Sequence, residues 1–290
     1  METIGSQAIW SFVDGAADTE ELTCTQIRKG AAHKVRSYLE LACKTAELQF
    51  MNRGFALLFR GQRTDHKNLQ RNTSLKPSLL RPSVNSKENP SSDVLIRRFD
   101  RLRRAEDLLV NSYLREHLGG SDLLKRNRTV RWAILQHYEI CRTPLLDVTQ
   151  SLRIAASFAS IDAEHEAYVF VLGVPNLSGA ISTSAEAGLQ MVRLASVCPP
   201  KALRPHIQEG FLLGEYPEMS EYAQKELYRH YEIDFGRRLV AKFRFDPRTF
   251  WTSEEFPMVS ELALYPSPEN DVVRRMANEI KQRLKSRNKE

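Results

Sequence analysis

The chain has 290 residues, 42% of them hydrophobic and 27% charged, with a formal net charge of +6. That length buries one substantial core, and the balance is ordinary for a globular protein, which excludes disordered and fibrous classes. No apolar run reaches a bilayer span, and the start, with Asp14, Asp18, Glu20 and Glu21, lacks the basic and apolar regions of a signal peptide. A cytoplasmic protein with no membrane attachment is expected.

Cys24, Cys43, Cys141 and Cys198 are scattered and form no Cys-x-x-Cys pair, so four reduced thiols are expected, with neither a disulfide framework nor a metal site. In chain order, Val35, Leu39, Ala42, Ala46 and Phe50 recur at three- and four-residue steps, which predicts a helical extension over residues 1–50 ahead of a main domain over 51–290. That extension is the expected surface for a protein partner. Residues 55–59 are a short apolar run, the pattern of a buried strand, and Arg60-Gly61 stand at its tip. A guanidinium there needs an anionic or carbonyl-rich answer, and Gly61 leaves room for a ligand or another backbone.

Residues 61–75 read as a polar loop, and 82–92, with Pro82, Asn85, Ser86, Asn89 and Pro90, as a turn-rich connection. A long helix is predicted from Ser92 or Asp93 to about His117, ended by Gly119-Gly120, and another from Arg128 to Tyr138. Pro144 interrupts; Asp147 and Thr149 are expected at the start of the next helix, with Thr149 or Ser151 as its cap. Further strands are predicted at 167–172, 190–197, 207–213 and 237–245, the last with a basic outer face, and helices at 218–233 and from Glu269. The sum is an α+β domain with a mixed, mainly antiparallel sheet and flanking helices.

Phe59-Arg60-Gly61, followed by Leu75-Lys-Pro-Ser-Leu-Leu-Arg81, resembles the opening of the FRG domain, a bacterial family named for that tripeptide. Gln136-His137-Tyr138, Leu145-Leu-Asp-Val-Thr149 and the small-residue run Ile154–Ala159 are similar to its second block, except that Glu139 stands where a glycine commonly follows the His-aromatic pair. Arg204, Gln208, Gly210 and Phe211 resemble a third block, and Glu261–Pro266 with the closing helix from Glu269 a last one.

That resemblance gathers Arg60, Gln62, His137, Tyr138, Asp147, Thr149, Arg204 and Gln208 into one polar site. Guanidinium groups, an imidazole, amides and a carboxylate suit a nucleotide or dinucleotide, NAD among them. On this reading His137, Gln208 and Glu209 are the catalytic candidates and Arg60, Gln62, Tyr138, Asp147, Thr149 and Arg204 bind the ligand. Asp147 reads equally as a structural carboxylate, His137 as a satisfied core imidazole, and Glu209 as a solvent-facing one. By analogy with folds that hold NAD on a strand-borne arginine, an ADP-ribosyltransferase-like enzyme is one expectation. Ser182-Thr183-Ser184 is similar to an element of some such enzymes. The resemblance also implies bacterial anti-phage defence or a toxin system, where a non-catalytic sensing module is the alternative. A third reading is nucleic-acid binding through Arg97–Arg104, Arg237–Lys242 and the basic C-terminal helix.

Overall fold

The computed structural model describes residues 7–83, 88–176, 178–225 and 233–286. The first strands, β1 (Ile9–Phe12) and β2 (Thr19–Leu22), form an antiparallel hairpin. Helix α1 (Cys24–Lys29) follows under a Thr23 capping box, then β3 (His33–Lys34) and α2 (Tyr38–Met51), capped by Ser37. The N-terminal region is therefore part strand, and β3 joins the edge of the main sheet beside its last strand.

Helix α2 forms where the periodicity predicts it but buries the neighbouring face. Leu41, Thr45 and Leu48 point inward, and Thr45 returns its hydroxyl to the Leu41 carbonyl at 2.8 Å, so its burial leaves no polar group unmet. Leu39 and Phe50, the expected core positions, are 45% and 63% exposed.

The remaining elements are β4 (Ala56–Gln62), α3 (Ser92–Arg115), α4 (Ser121–Arg126), α5 (Arg128–His137), β5 (Leu146–Thr149) and α6 (Leu152–Ser160). Then come β6 (Ala167–Val174), β7 (Ile181–Ser184), β8 (Leu189–Arg193), α7 (Leu194–Val197), α8 (Leu203–Ile207), β9 (Gly210–Glu215) and α9 (Tyr222–Lys225). Last are β10 (Leu239–Phe245), α10 (Pro247–Phe250), α11 (Glu261–Leu264) and α12 (Val272–Ser286). The helix predicted over 218–233 is described only as α9, because 226–232 lie outside the described residues, as do Asn85, Ser86, Arg287 and Lys289.

Among the described residues the main sheet has eight strands in the order β3-β10-β6-β4-β5-β9-β8-β7, antiparallel except for β3 with β10. The fold class is α+β. Strand β6 is a continuous apolar run because it lies mid-sheet between β10 and β4. Helix α3 forms because Leu95, Phe99, Leu102, Leu109 and Tyr113 recur on one face, with Asp93 in its first turn and Arg115 in its last. That face packs on α5, which buries Trp132 and Leu135, and on α12, which buries Val273, Met276 and Ile280. Each such large side chain contributes about 1.5–3 kcal/mol.

Two expectations about the sheet are corrected. Residues 146–149 form strand β5 rather than a helix start, since they pair with β9 on one side and meet β4 on the other; Ser151 alone caps α6, accepting from Ile154 N–H at 3.4 Å. The basic face of β10 is not outward. Lys242 is buried, donating to the Gly30 carbonyl at 2.6 Å and Thr73 Oγ1 at 3.0 Å, with Asp65 Oδ2 at 3.4 Å. It pins the loop after β4 to α1.

Strands β4 and β5 pair at Phe59 with Thr149 only. Beyond that pair they diverge, so the sheet is two four-stranded halves joined at a narrow seam.

Candidate functional site

A cavity of about 550 Å³ opens at that seam. One wall is the end of β4 and its loop, Phe59 to Thr64 with His66; the facing wall is Asp147–Thr149 of β5 with Gln136 and His137 from the end of α5. Helix α6 contributes Phe158, followed by Ile161 and Asp162. Arg204 on α8, Gln208 and Gly210 after it, and Tyr265 after α11 close the far side.

Gly61 is what lets α6 approach. A Cβ at that position would stand 1.8 Å from the Ala155 carbonyl oxygen and 2.8 Å from Ala159 N. Its missing side chain makes room for a helix backbone rather than for a ligand, and the small residues of α6 are the other half of that fit.

Arg60 is half-buried at the cavity wall. Its Nη1 donates to the Asp147 carbonyl at 2.5 Å, and the Gln62 amide, turned oxygen-inward, accepts from its Nε at 3.0 Å and Nη2 at 3.3 Å. Among the described residues it has no carboxylate ion pair. Burial, then the charge of Arg81, pull its guanidinium down to about 10, opposed by Asp147.

The other charged groups of the lining do have partners. Asp147 Oδ2 accepts from Gln136 Nε2 at 2.7 Å, and its Oδ1 lies 3.9 Å from His137 Nδ1. Burial and the Arg204 charge push His137 well below the usual histidine range, so the imidazole is neutral near pH 7. Arg204, almost fully buried, donates from Nη2 to Glu139 Oε1 at 2.7 Å, and its guanidinium stacks over the Tyr265 ring at 4.7 Å. Burial raises the Glu139 carboxyl, but Arg204 outweighs it and the net shift is downward. Arg63 lies 3.8 Å from Asp162 at the exposed rim.

Glu139 has a φ of +54°, the left-handed region that favours glycine. This chain tolerates the conformation with a side chain that reaches Arg204.

Of the residues singled out in the sequence, Arg60, Gln62, His137, Asp147, Thr149, Arg204 and Gln208 line the cavity. Thr149 donates to the Gln208 carbonyl at 2.8 Å, and Gln208 Nε2 to the Leu264 carbonyl at 2.6 Å, so both also tie the walls together. Tyr138 and Glu209 do not line it. The Tyr138 ring is in the core, with its hydroxyl on Asp271 at 2.9 Å. Glu209, at a φ of +46°, is exposed; its backbone is engaged, the N–H by the His206 carbonyl and the carbonyl by Thr149 and the Gln150 N–H. Ser182-Thr183-Ser184 lies in β7, the opposite edge of the sheet, away from the cavity. Gln136, Glu139, His66, Phe158 and Tyr265 are lining residues that sequence reasoning did not select. The polar residue before His137 and the departure at Glu139 were the readable signals.

Residues 56–167 match the FRG domain family. The chain carries an FRG domain. No curated protein and no solved structure gives a match. The matched FRG segment runs from β4 into the start of β6, so it supplies both lips of the seam and α6. Arg204, Gln208 and Tyr265 reach the cavity from beyond it. Among the described residues, no cluster of three or more His, Cys, Asp or Glu side chains is placed to hold a metal ion, and no helix is long and apolar enough to cross a membrane.

Proposed function

We propose that the seam cavity of this FRG domain binds a phosphate-bearing nucleotide, with NAD or a related dinucleotide as the class, and that the protein acts on its ribosyl bond. The observation that carries this reading is Arg60: a charged guanidinium at the wall of an open cavity, answered by a carbonyl and an amide but, among the described residues, by no carboxylate. Such a group favours an incoming oxyanion, since a charge-assisted hydrogen bond contributes about 1.5–3 kcal/mol. Phe158 and Tyr265 add aromatic rings to the lining, and Gln62 and Gln208 add amides, which suits a ligand with a base.

For a dinucleotide, the reaction breaks the bond between ribosyl C1′ and the nicotinamide nitrogen, with the electron pair leaving on the ring. An acceptor oxygen then bonds C1′ and sheds its proton. Asp147 stands in the cavity against the positive charge that develops on the sugar. His137, neutral near pH 7, accepts a proton rather than donating one. Glu209, exposed and outside the lining, takes no part. A place in bacterial anti-phage defence or a toxin system is part of the same proposal and would fit such an activity.

Calorimetric titration with NAD, ADP-ribose and AMP, alongside an assay of nicotinamide release, tests this. Arg60→Gln is expected to weaken binding by about tenfold or more with little change in melting temperature. Binding without release assigns the domain to sensing. No binding of any of the three, or affinities indifferent to Arg60→Gln, refutes the nucleotide reading.

A further inference from the structure

Arg81 bears on Arg60 from outside the cavity, and Arg142 and Arg98 lie beyond it, Arg142 acting on both Arg81 and Arg98. The turn at residues 78–80 is pinned to residue 143: Leu79 N–H donates to the Thr143 carbonyl at 3.0 Å, and Thr143 N–H to Ser78 Oγ at 3.0 Å. Arg98 on α3 reaches the same turn, its Nη1 donating to the Leu79 carbonyl at 2.6 Å and the Arg81 carbonyl at 2.8 Å. Arg81 itself donates from Nε to the Lys76 carbonyl at 2.8 Å. Arg142, next to Thr143, has its Nη1 buried with no hydrogen-bond partner.

All four side chains, Arg60 included, are half-buried, and among the described residues none of the four has a carboxylate within ion-pair distance. Some of the other sheltered arginines have carboxylate partners, whereas the half-buried Arg101, Arg237 and Arg274 have none among the described residues. Arg28 meets Asp234 at 2.9 Å, Arg131 meets Glu106 at 2.7 Å, and Arg244 meets Asp14 at 2.9 Å. What sets this group apart is that its members are near enough to act on one another as like charges. After burial, Arg142 pulls Arg98 down to about 10; burial also lowers Arg81, where Asp147 opposes the shift and Arg142 adds to it. Like charges held half out of water at this density are stabilised by a multivalent anion.

We propose that Arg81, Arg98 and Arg142 form a second anion site, continuous with Arg60, that takes the polyphosphate chain of a nucleotide lying in the cavity. This rests on the nucleotide reading of the cavity. The half-buried, compact placement favours a short polyphosphate chain over a nucleic-acid strand, which takes exposed and extended basic tracks.

The test is titration of AMP, ADP, ATP and inorganic triphosphate into the full chain and into Arg142→Gln and Arg81→Gln, each checked by thermal melting. The wild type is expected to bind ATP about tenfold or more tighter than AMP. Either variant should erase most of that increment and leave AMP within about twofold. Arg98→Gln replaces a variant that fails to fold. ATP binding no tighter than AMP, or an increment retained in the variants, overturns the second site even where AMP binds. Triphosphate binding that depends on Arg142 in a protein that binds no nucleotide keeps the anion site and refutes the nucleotide reading instead. A five-residue adenylate oligomer binding more tightly than ATP, with a steep salt dependence, also overturns the proposal, in favour of a strand.

Discussion

Gly61→Ala places one methyl group where the backbone of α6 already stands. The new Cβ would lie 1.8 Å from the Ala155 carbonyl oxygen and 2.8 Å from both the Ala155 carbonyl carbon and Ala159 N. An ordinary carbon–oxygen contact is about 3.3–3.6 Å, so α6 or β4 must shift by roughly 1.5 Å. The obstacle is helix backbone, whose hydrogen bonds resist local yielding, and Gly61 has no positive φ, so the whole effect is steric. Overpacking in a core costs about 1–3 kcal/mol and sometimes more; a backbone collision belongs at the upper end, about 3 kcal/mol. For a chain of this size that corresponds to a fall in melting temperature of about 6 °C or more. Gly210→Ala is the control, because its Cβ would meet only the Leu194 Cδ1 atom at 2.9 Å and the His137 ring at 3.4 Å. Differential scanning calorimetry of both variants reads the difference. A Gly61→Ala protein that melts with the wild type would refute the claim that this glycine exists for helix packing.

Four further outcomes are expected. Glu106 is buried and accepts from Arg131 Nε at 2.7 Å and Trp132 Nε1 at 2.9 Å, so Glu106→Ala should cost about 3–5 kcal/mol in urea unfolding. Asp100→Ala, which removes the exposed pair with Arg103, should stay within about 1 kcal/mol. Tyr138→Phe deprives the Asp271 carboxylate of a hydroxyl and should lower stability by about 1–3 kcal/mol while leaving any nucleotide affinity unchanged, since the ring is outside the cavity. For His137 the folded-state pKa is depressed, so the native protein binds fewer protons than the unfolded chain below pH 6.5. Its contribution is fully present above that pH and is lost as the pH falls toward the folded value. Urea unfolding between pH 7 and pH 5 should therefore show a shallower pH slope in His137→Gln than in the wild type; equal slopes would show that the imidazole is not held neutral.

Much of the architecture is readable from local pattern. The apolar runs at 56–62 and 167–174 and the long amphipathic helix over 92–115 announce themselves because each makes its own periodicity. Three features are not local. Helix α2 carries two usable stripes, and which one faces inward is decided by the hairpin it packs on rather than by its own spacing. Residues 146–149 become a strand because β9 pairs with them from more than sixty positions away, which four residues beside a proline do not advertise. Lys242 looks like a solvent-facing residue of an alternating strand and is buried only because the loop after β4 brings Asp65 and Thr73 over it. In the cavity, residues from distant positions converge, but the motifs read in the sequence fix order along the chain and not side-chain direction. Tyr138 and Glu209 each adjoin a lining residue and face elsewhere.

The single shared rung between β4 and β5 has a mechanical meaning. A cleft dug into a continuous sheet would keep its width whatever happened around it. Here the two jaws are separate panels, and their spacing is maintained by small cross-braces: the Arg60 bond to the Asp147 carbonyl, the Gln136 bond to the Asp147 carboxylate and the Thr149 bond to the Gln208 carbonyl. Helices α3 to α5 occupy the chain between the panels, so substitutions deep in that layer reach the cavity as a change of gauge rather than as a lost contact.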